Sequence, residues 1–376
     1  MKIAIFGGTF NPVHKEHINI VRAAIKNLSL DRVIIMPSYI TPNKEGKMIA
    51  SSTDRINMCR LAYADLHNVT VSDYEIKKGG VSYSYITCNE FQKRYPSDER
   101  YLIVGGDMLE NFSQWKKPNE ILKCVKLAAC AREDVEKLDA AEQKFKDNFG
   151  CDIVKFGYIG ENVSSTKIRV LVALKEEFGK YLDKNTKKYI LQSTMYGING
   201  ADSVKKMLSN KRWAHTVRVA VMAAENCGRL CISEKQAITA ALFHDCAKEL
   251  SLSDSRLKGF AVDENVPQTV IHQFAGAYLA ERQFGIRNEE ILNAIKYHTS
   301  GRENMSALEK LILLSDMLEE GRNFDGVEEL RKAFYEDIDK ALYLALKRQL
   351  TYLKERNQPI YYLTQKAFDY LEEQKL

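Results

Sequence analysis

The sequence predicts a doubly wound parallel α/β domain over residues 1–197, followed by an all-helical domain over residues 198–376. Three observations carry this reading. Short apolar runs alternate with amphipathic segments through the first half, the grammar of a parallel sheet covered by helices. From about residue 198 the strand-like runs stop, and the apolar spacing is helical throughout. Between the two lies STMYGINGADS, a break containing Gly and Ser with no strong periodicity.

Taken in order, KIAIF, DRVIIMPS, NVTVSDYEI, RYLIVGG and CVKLAACA read as strands. EHINIVRAAIKNLSL and TDRINMCRLAYADL, between them, have helical spacing. Ligands of such sheets bind beyond the carboxyl ends of the strands. That singles out Gly7, closing the first strand, and Gly105-Gly106-Asp107, closing a later one. In the second half SVKKMLSNKRWAHTVRVAVMAAENC, SEKQAITAALFHDCAKEL, PQTVIHQFAGAYLAERQFG, NEEILNAIKYH and most of VEELRKAFYEDIDKALYLALKRQLTYLKE read as helices.

The 376 residues suffice for two or three domains with a sizeable core. A net charge of +5 suits anionic small molecules and gives no ground for a nucleic-acid partner. The eight cysteines are scattered, with no C-x-x-C pair, as expected in a reducing cytoplasm. The opening residues run straight into an apolar strand rather than a signal peptide, and no apolar run reaches membrane-spanning length. A homo-oligomer is left open.

GGTFNPVHKEH, residues 7–17, has the parts of a phosphate cradle. Gly7 and Gly8 let backbone N–H groups approach phosphates, and the helix that follows adds a partial positive charge. His14 and His17 lie three apart, on one face of a helical first turn, and can donate hydrogen bonds. A plain strand-to-helix turn with incidental histidines is the competing reading. NVSSTKIR, residues 162–169, places Ser164, Ser165 and Thr166 at a helix start with Lys167 and Arg169 behind them. Hydroxyls, N–H groups and cations together suit phosphate; an ordinary N-cap with a solvated basic turn would use the same residues.

Together these segments resemble the nucleotidylyltransferases, Rossmann-like enzymes with an (H/T)-x-G-H signature and a closing I-S-S-T-x-I-R motif. More narrowly they resemble the nicotinate mononucleotide adenylyltransferases, over roughly residues 1–195, through MPSYITPNK, SSTDRINMCRLA, GGVSYSYIT, YLIVGGDMLENFSQWKKPNEIL and YLDKNTKKYI. The resemblance implies that His14 and His17 hold the ATP phosphates, beside Gly7, Gly8, Thr9, Phe10 and Lys44. It implies that Ser164, Ser165, Thr166 and Arg169 serve the nucleotide end. It implies that Tyr83, Ser84, Gly105, Gly106, Asp107 and Trp115 line the dinucleotide and nicotinate side, where Trp115 would stack on a pyridine ring or anchor a loop. Three positions depart from the pattern. Asn43 replaces a histidine, Gly106 replaces the alanine of Gly-Ala-Asp, and Glu16 replaces the glycine of H-x-G-H. A carboxylate at position 16 suits a helix N-terminus but would repel phosphate if it faced inward. Glu16 is therefore expected to point sideways or outward.

In the helical half, His215, His244, His272 and His298 fall on predicted helices, Asp245 follows His244, and Asp316 sits in LLSDMLEEGR. A carboxylate in so apolar a setting needs a partner, and divalent metal supplies one. The pattern resembles the HD-domain metal phosphohydrolases, narrowed by YHTSG and LLSDMLEEGRNFDGVEELR to a bacterial subfamily similar to symmetrical diadenosine tetraphosphate hydrolase. It implies metal ligation by His215, His244, Asp245 and Asp316, with His272 and His298 completing a second site across a bridging Asp245. Lys248 would meet a phosphate, and Thr299 and Arg322 either contact substrate phosphates or lie in a solvated loop.

The two resemblances imply a bifunctional enzyme. One part would use ATP and Mg2+ to adenylylate nicotinate mononucleotide, with His14 and His17 catalytic. The other would use two iron or manganese ions, with Asp245 and Lys248 catalytic, to split diadenosine tetraphosphate into two ADP. The alternative is a first domain silenced by Glu16 and Asn43, acting as a nucleotide sensor, beside a hydrolase of another nucleotide.

Overall fold

The structure is a computed structural model that describes residues 1–41, 46–131, 135–161 and 163–374. The chain divides into two compact units, the first of Met1–Lys44, Ile49–Ile168 and Glu177–Met195, the second of Glu45–Met48, Arg169–Glu176 and Tyr196–Leu376. The expected single cut at residue 197 is therefore interleaved. Val170, Ala173 and Leu174 explain why, since they are buried in the core of the helical unit.

The first unit carries strands β1 (Lys2–Gly8), β2 (Arg32–Pro37), β3 (Val69–Val71), β4 (Glu99–Gly105), β5 (Lys126–Ala131) and β6 (Val154–Ile159). They form one sheet in the order β3-β2-β1-β4-β5-β6, parallel at every pairing. Central β1 buries Ile3, Ala4, Ile5 and Phe6 in succession, the continuous apolar run of a strand covered on both faces. The strand order reverses between β1 and β4, where Phe6 pairs with Ile103. Gly7 and Gly105 thus flank the switch point at which such sheets bind ligands. The helices are α1 (Lys15–Leu28), α2 (Ser52–Ala62), α3 (Tyr74–Lys78), α4 (Ser84–Arg94), α5 (Gly106–Glu110), α6 (Pro118–Cys124), α7 (Val135–Phe149), α8 (Ser165–Ala173), whose residues from Arg169 on count with the second unit, and α9 (Lys184–Leu191).

Two elements differ from the sequence reading. NVTVSDYEI is a strand only to Val71, because the Ser72 hydroxyl accepts the Tyr74 N–H and the Asp73 carbonyl accepts the Lys77 N–H, which starts α3. β6 was not among the expected strands. As an edge strand it leaves Lys155, Gly157 and Ile159 exposed, so its apolar signal is weak.

The second unit contains α10 (Ala201–Met207), α11 (Asn210–Asn226), α12 (Glu234–Phe243), α13 (Ile271–Arg282), α14 (Glu289–Lys296), α15 (Ala307–Leu318), α16 (Val327–Glu336), α17 (Ile338–Glu355) and α18 (Tyr362–Glu373). Caps cut the long helical readings into pieces. The Ser209 hydroxyl accepts the Arg212 N–H and separates α10 from α11. The Asp337 carboxylate accepts the Asp339 and Lys340 N–H groups and separates α16 from α17. Ala220, Ala240, Leu242, Leu311, Leu314 and Leu346 fill the core that these helices share. Among the described residues no helix is long and apolar enough to cross a membrane.

Two candidate active sites

The first site grows from the end of β1. A Cβ added to Gly7 would meet nothing within 4 Å, so protein packing does not demand glycine there and the space in front of it is open. His14 is the N-cap of α1 and His17 stands in its first turn. Their rings lie 3.7 Å apart, centroid to centroid, and the edge of Phe10 packs against His17 at 5.1 Å. The His14 backbone N–H donates to His17 Nδ1 at 3.2 Å, which leaves the proton of a neutral His17 ring on Nε2 as a donor for an anion.

Glu16 points sideways and is buried. Its Oε2 accepts from the Tyr158 hydroxyl and the Glu161 N–H, both at 2.8 Å, and its Oε1 accepts from the Asn19 amide at 2.9 Å. Burial and the neighbouring carboxylate push the Tyr158 hydroxyl up to about 12, so it remains a donor. Gly160 makes room for this arrangement, because a Cβ there would lie 2.8 Å from Glu16 Oε2. The glycine missing between the histidines has a counterpart 144 positions along the chain.

Ser164 caps α8 by accepting the Lys167 N–H at 3.0 Å. The Ser165 hydroxyl donates to the Pro12 carbonyl at 3.0 Å, so the two phosphate motifs meet directly. Thr166 is buried beside them in sequence. Arg169 lies in the part of α8 that belongs to the helical unit, with its Nε 2.9 Å from Glu234 Oε1 and its Nη2 3.0 Å from Oε2, and the pair is almost fully buried. Asn43 and Lys44 lie outside the described residues.

On the other side of the switch point, Tyr83 is the N-cap of α4 and Ser84 its first residue. The Lys116 ammonium stands 4.3 Å from the Tyr83 ring centroid, which brings the half-buried Trp115 segment to the Tyr83 segment. Trp115 also packs on Phe112, with centroids 5.2 Å apart. At Gly105 the Asp107 carboxylate folds back so closely that a Cβ would lie 2.6 Å from it.

Arg55, absent from the sequence reading as a site residue, organises these loops. It is about 1% exposed. Its guanidinium donates to the carbonyls of Thr9 at 2.9 Å, Ser38 at 2.6 Å, Tyr39 at 3.2 Å and Ala50 at 3.2 Å. One side chain thus ties the loop after β1 to the loop after β2. Its place beside Ile56, Met58 and Cys59 on the buried side of α2 was the available signal.

The second site gathers four histidines and two aspartates. Asp245 stands at its centre. Its Oδ2 is 3.6 Å from His244 Nε2, and its Oδ1 is 3.4 Å from His272 Nε2 and 3.5 Å from His298 Nε2. Asp316 Oδ1 is 2.8 Å from His215 Nε2 and 4.0 Å from His244 Nε2. Two overlapping groups, His215-His244-Asp245 and Asp245-His272-His298, have spacing that suits divalent cations. His244 and His298 sit just past the ends of α12 and α14, not on helices as expected. In these turns His244 Nδ1 lies 2.6 Å from the Ala241 carbonyl and His298 Nδ1 2.8 Å from the Ile295 carbonyl. Those bonds place the proton on Nδ1 and the lone pair on Nε2, the arrangement of a metal ligand. His244 Nε2 is buried and makes no hydrogen bond among the described residues, an orphan that a cation would satisfy.

Electrostatics agree with ligation. Burial holds His244 down to about 4 and His272 down to about 2, so both are neutral donors at neutral pH. Burial opposes ionisation of Asp245, but the histidines around it outweigh that and keep its carboxyl well below the usual range. Glu319, missing from the sequence reading, orients His215. Its Oε1 is 3.0 Å from His215 Nδ1, while Arg218 and the Gly321 N–H hold its other oxygen at 2.5 Å. Despite burial, these partners hold its carboxyl down to about 2. The Lys248 ammonium is 3.0 Å from His272 Nε2, the Thr299 hydroxyl is 3.1 Å from the same atom, and Arg322 Nη2 is 2.7 Å from Asp316 Oδ1.

Residues 5–171 match the cytidylyltransferase-like family and residues 212–374 match the HD domain. The chain is 36% identical over 191 residues to a probable nicotinate-nucleotide adenylyltransferase of Fusobacterium nucleatum, covering 50% of this chain and 97% of that one. It is 38% identical over 165 residues to a symmetrical bis(5'-nucleosyl)-tetraphosphatase of Bacillus subtilis, covering 42% of this chain and 88% of that one.

The chain belongs to the nicotinate-nucleotide adenylyltransferase family and, in its helical half, to the HD-domain tetraphosphatase family.

Some relatives span both parts. A Mycoplasma genitalium protein named a probable nicotinate-nucleotide adenylyltransferase/Ap4A hydrolase is 29% identical over 359 residues, covering 92% of this chain and 97% of that one. Within the adenylyltransferase unit, Glu16 is the position where the family's glycine is replaced and its burial absorbs the change. Within the HD unit, Glu319 and the two helix-end histidines add the orientation that the ligand pattern alone leaves open.

Proposed function

We propose that the chain is a bifunctional nucleotide enzyme. Its first unit transfers adenylyl from ATP to nicotinate mononucleotide, giving deamido-NAD and pyrophosphate. Its second unit hydrolyses diadenosine tetraphosphate symmetrically to two ADP. The observation that carries this is the end-to-end match to a relative named for both activities, supported unit by unit by relatives named for each alone.

In the first unit the mononucleotide phosphate attacks the α-phosphorus of ATP, and the protein contributes positioning and charge neutralisation. His14 and His17 hold the ATP phosphates beside Gly7, Gly8, Thr9 and Phe10, with Mg2+ accompanying the nucleotide. Ser164, Ser165 and Thr166 serve its far end through α8. Tyr83, Ser84, Gly105, Asp107 and Trp115 take the nicotinate side. Arg169, whose Nε and Nη2 are engaged by Glu234, serves that end indirectly, by anchoring α8.

In the second unit, His215, His244, Asp245 and Asp316 would hold one metal, and Asp245, His272 and His298 would hold the other. The nitrogen-and-carboxylate donor set suits iron or manganese. Bound metal supplies Lewis-acid activation of water and neutralises phosphate charge. Lys248, Thr299 and Arg322 orient the phosphates. Both reactions belong in a reducing cytoplasm.

The test is incubation of the purified chain with ATP, Mg2+ and either nicotinate or nicotinamide mononucleotide, followed by chromatography. A dinucleotide from the acid is expected, and none from either substrate sinks the transferase reading. Diadenosine tetraphosphate should give ADP alone; ATP plus AMP would contradict the symmetric cut.

A further inference from the structure

The ligand cluster of the HD unit is more deeply buried than the cations around it. The side chains of His244, His298, Asp245, His272 and His215 are 0–8% exposed and that of Asp316 21%, whereas Arg212 is 30% exposed and Arg322 37%. The cations therefore mark the solvent side, from which a substrate must enter. Three of them bond to three different ligands. Arg212 Nη1 lies 2.8 Å from Asp245 Oδ2 and Arg322 Nη2 2.7 Å from Asp316 Oδ1, while Lys248 Nζ stands against the His272 ring, 3.0 Å from Nε2 and 3.2 Å from Nδ1. Each of these bonds is made to an atom that a metal would claim. A metal on these atoms competes with those bonds and frees donors of the cations for a substrate anion.

Arg212 is held beside Asp245. It lies on α11 three residues before His215, so the two share a helix face. Its backbone N–H is bound by the Ser209 hydroxyl at 3.3 Å. Ser209 in turn donates from its N–H and hydroxyl to the two oxygens of Glu249, at 2.5 and 2.7 Å. Glu249 directly follows Lys248, so one hydrogen-bonded corner carries both cations. Arg212 and Arg322 flank the His215–Asp316 side of Asp245, while Lys248 and Thr299 flank the His272 side. Cations on both sides of the bridging carboxylate suit an anion with phosphates on both sides of the bond that is cut. Arginine offers a planar fork of donors matched to phosphate oxygens.

We propose that Arg212 is a polyphosphate anchor that lets the HD site select a chain of several phosphates over a single one. This rests on the reading of the unit as a hydrolase of polyphosphate esters. The test uses the full chain loaded with Mn2+, as wild type, Arg212→Gln and Arg212→Lys. Metal content is measured before and after calorimetric titration with inorganic tripolyphosphate and, separately, with inorganic phosphate. The difference between wild type and variant isolates the HD site, because other anion sites are unchanged. In Arg212→Gln, tripolyphosphate binding at that site should weaken about 10- to 100-fold, the loss of a charge-assisted hydrogen bond or two. Phosphate binding should change less than about threefold, metal content should stay equal, and Arg212→Lys should fall between. Equal tripolyphosphate binding in wild type and Arg212→Gln overturns the anchor. So does weaker binding that tracks loss of metal, which would make Arg212 a support for Asp245 alone. If wild type leaves diadenosine tetraphosphate intact while Arg212→Gln still weakens tripolyphosphate, the substrate reading fails and the anchor stands.

Discussion

Single residues decide whether the first site is an enzyme or a remnant, and Glu16 decides most. Its carboxylate accepts three hydrogen bonds from Asn19, Tyr158 and Glu161, so its charge is committed away from the phosphate cradle. Glu16→Gly should therefore alter kcat/KM for adenylyl transfer by less than about tenfold, while costing ~2 kcal/mol of stability by orphaning buried donors. Thermal unfolding and steady-state kinetics on the one variant check both; a rise in activity of several orders of magnitude would show a damaged site. The histidines, the serines of the second motif and the metal-ligand pattern were legible because each lies in a short local motif. The direction of Glu16 was not, because it depends on residues more than 140 positions away. Glu319 escaped for a related reason, since its value lies in the ring orientation it gives His215. Glu319→Ala should lower metal affinity ~10- to 100-fold, read as metal retained after dialysis against a weak chelator.

Elements place these residues, and their ends matter more than their middles. The histidine-aspartate pair works because α12 stops at Phe243, and a turn closed by Lys248 N–H on the Asp245 carbonyl presents both side chains. A sequence of unbroken apolar character reads as continuous helix there, so helix existence was legible and its end was not. In the sheet the converse holds. Buried strands announced themselves, and edge strand β6 did not. Between elements, the Arg55 clamp ties Thr9 after β1 to Ser38 and Tyr39 after β2 and to Ala50 before α2. Arg55→Met would strand buried carbonyls at Thr9, Ser38, Tyr39 and Ala50, each costing ~1–3 kcal/mol if left dry. It should raise KM for both substrates of the transferase and lower that unit's melting temperature by several degrees. Arg55→Lys should recover only part, since an ammonium lacks the planar fork. Unchanged KM values in Arg55→Met would remove the clamp from the account of the site.

At the scale of the whole chain, the two chemistries predict separable losses and a specific response to acid. His244→Ala should abolish tetraphosphate hydrolysis and leave adenylyl transfer within about twofold, measured on one preparation. Acid sensitivity follows from the ligand cluster once metal is chelated. His244 folds as a neutral base, held by burial at about 4 against its ordinary 6.5. Between those values the unfolded chain binds a proton that the folded unit refuses, so stability rises with pH across that window and falls on acidification. The slope is ~1.4 kcal/mol per pH unit for each such histidine. His272, held by burial at about 2, adds in the same direction. The depressed carboxylates of Asp245, Asp316 and Glu319 extend the loss below their unfolded values near pH 4. His215 opposes it, because Asp316 and Glu319 lift it against burial, so its contribution is present at low pH and fades as pH rises through its folded value. The balance favours steep destabilisation of the metal-free HD unit between pH 6.5 and 4. Trp213 is buried in that unit and Trp115 lies in the other, so a Trp115→Phe background makes Trp213 fluorescence report HD unfolding alone. The urea midpoint of the chelated protein should fall steadily over this range. Metal-loaded protein near neutrality should show a higher and flatter midpoint, because bound cation stabilises the folded state by mass action. A flat profile in the chelated protein would mean that the histidines take up protons in place, and the neutral, preformed ligand cluster would have to be abandoned.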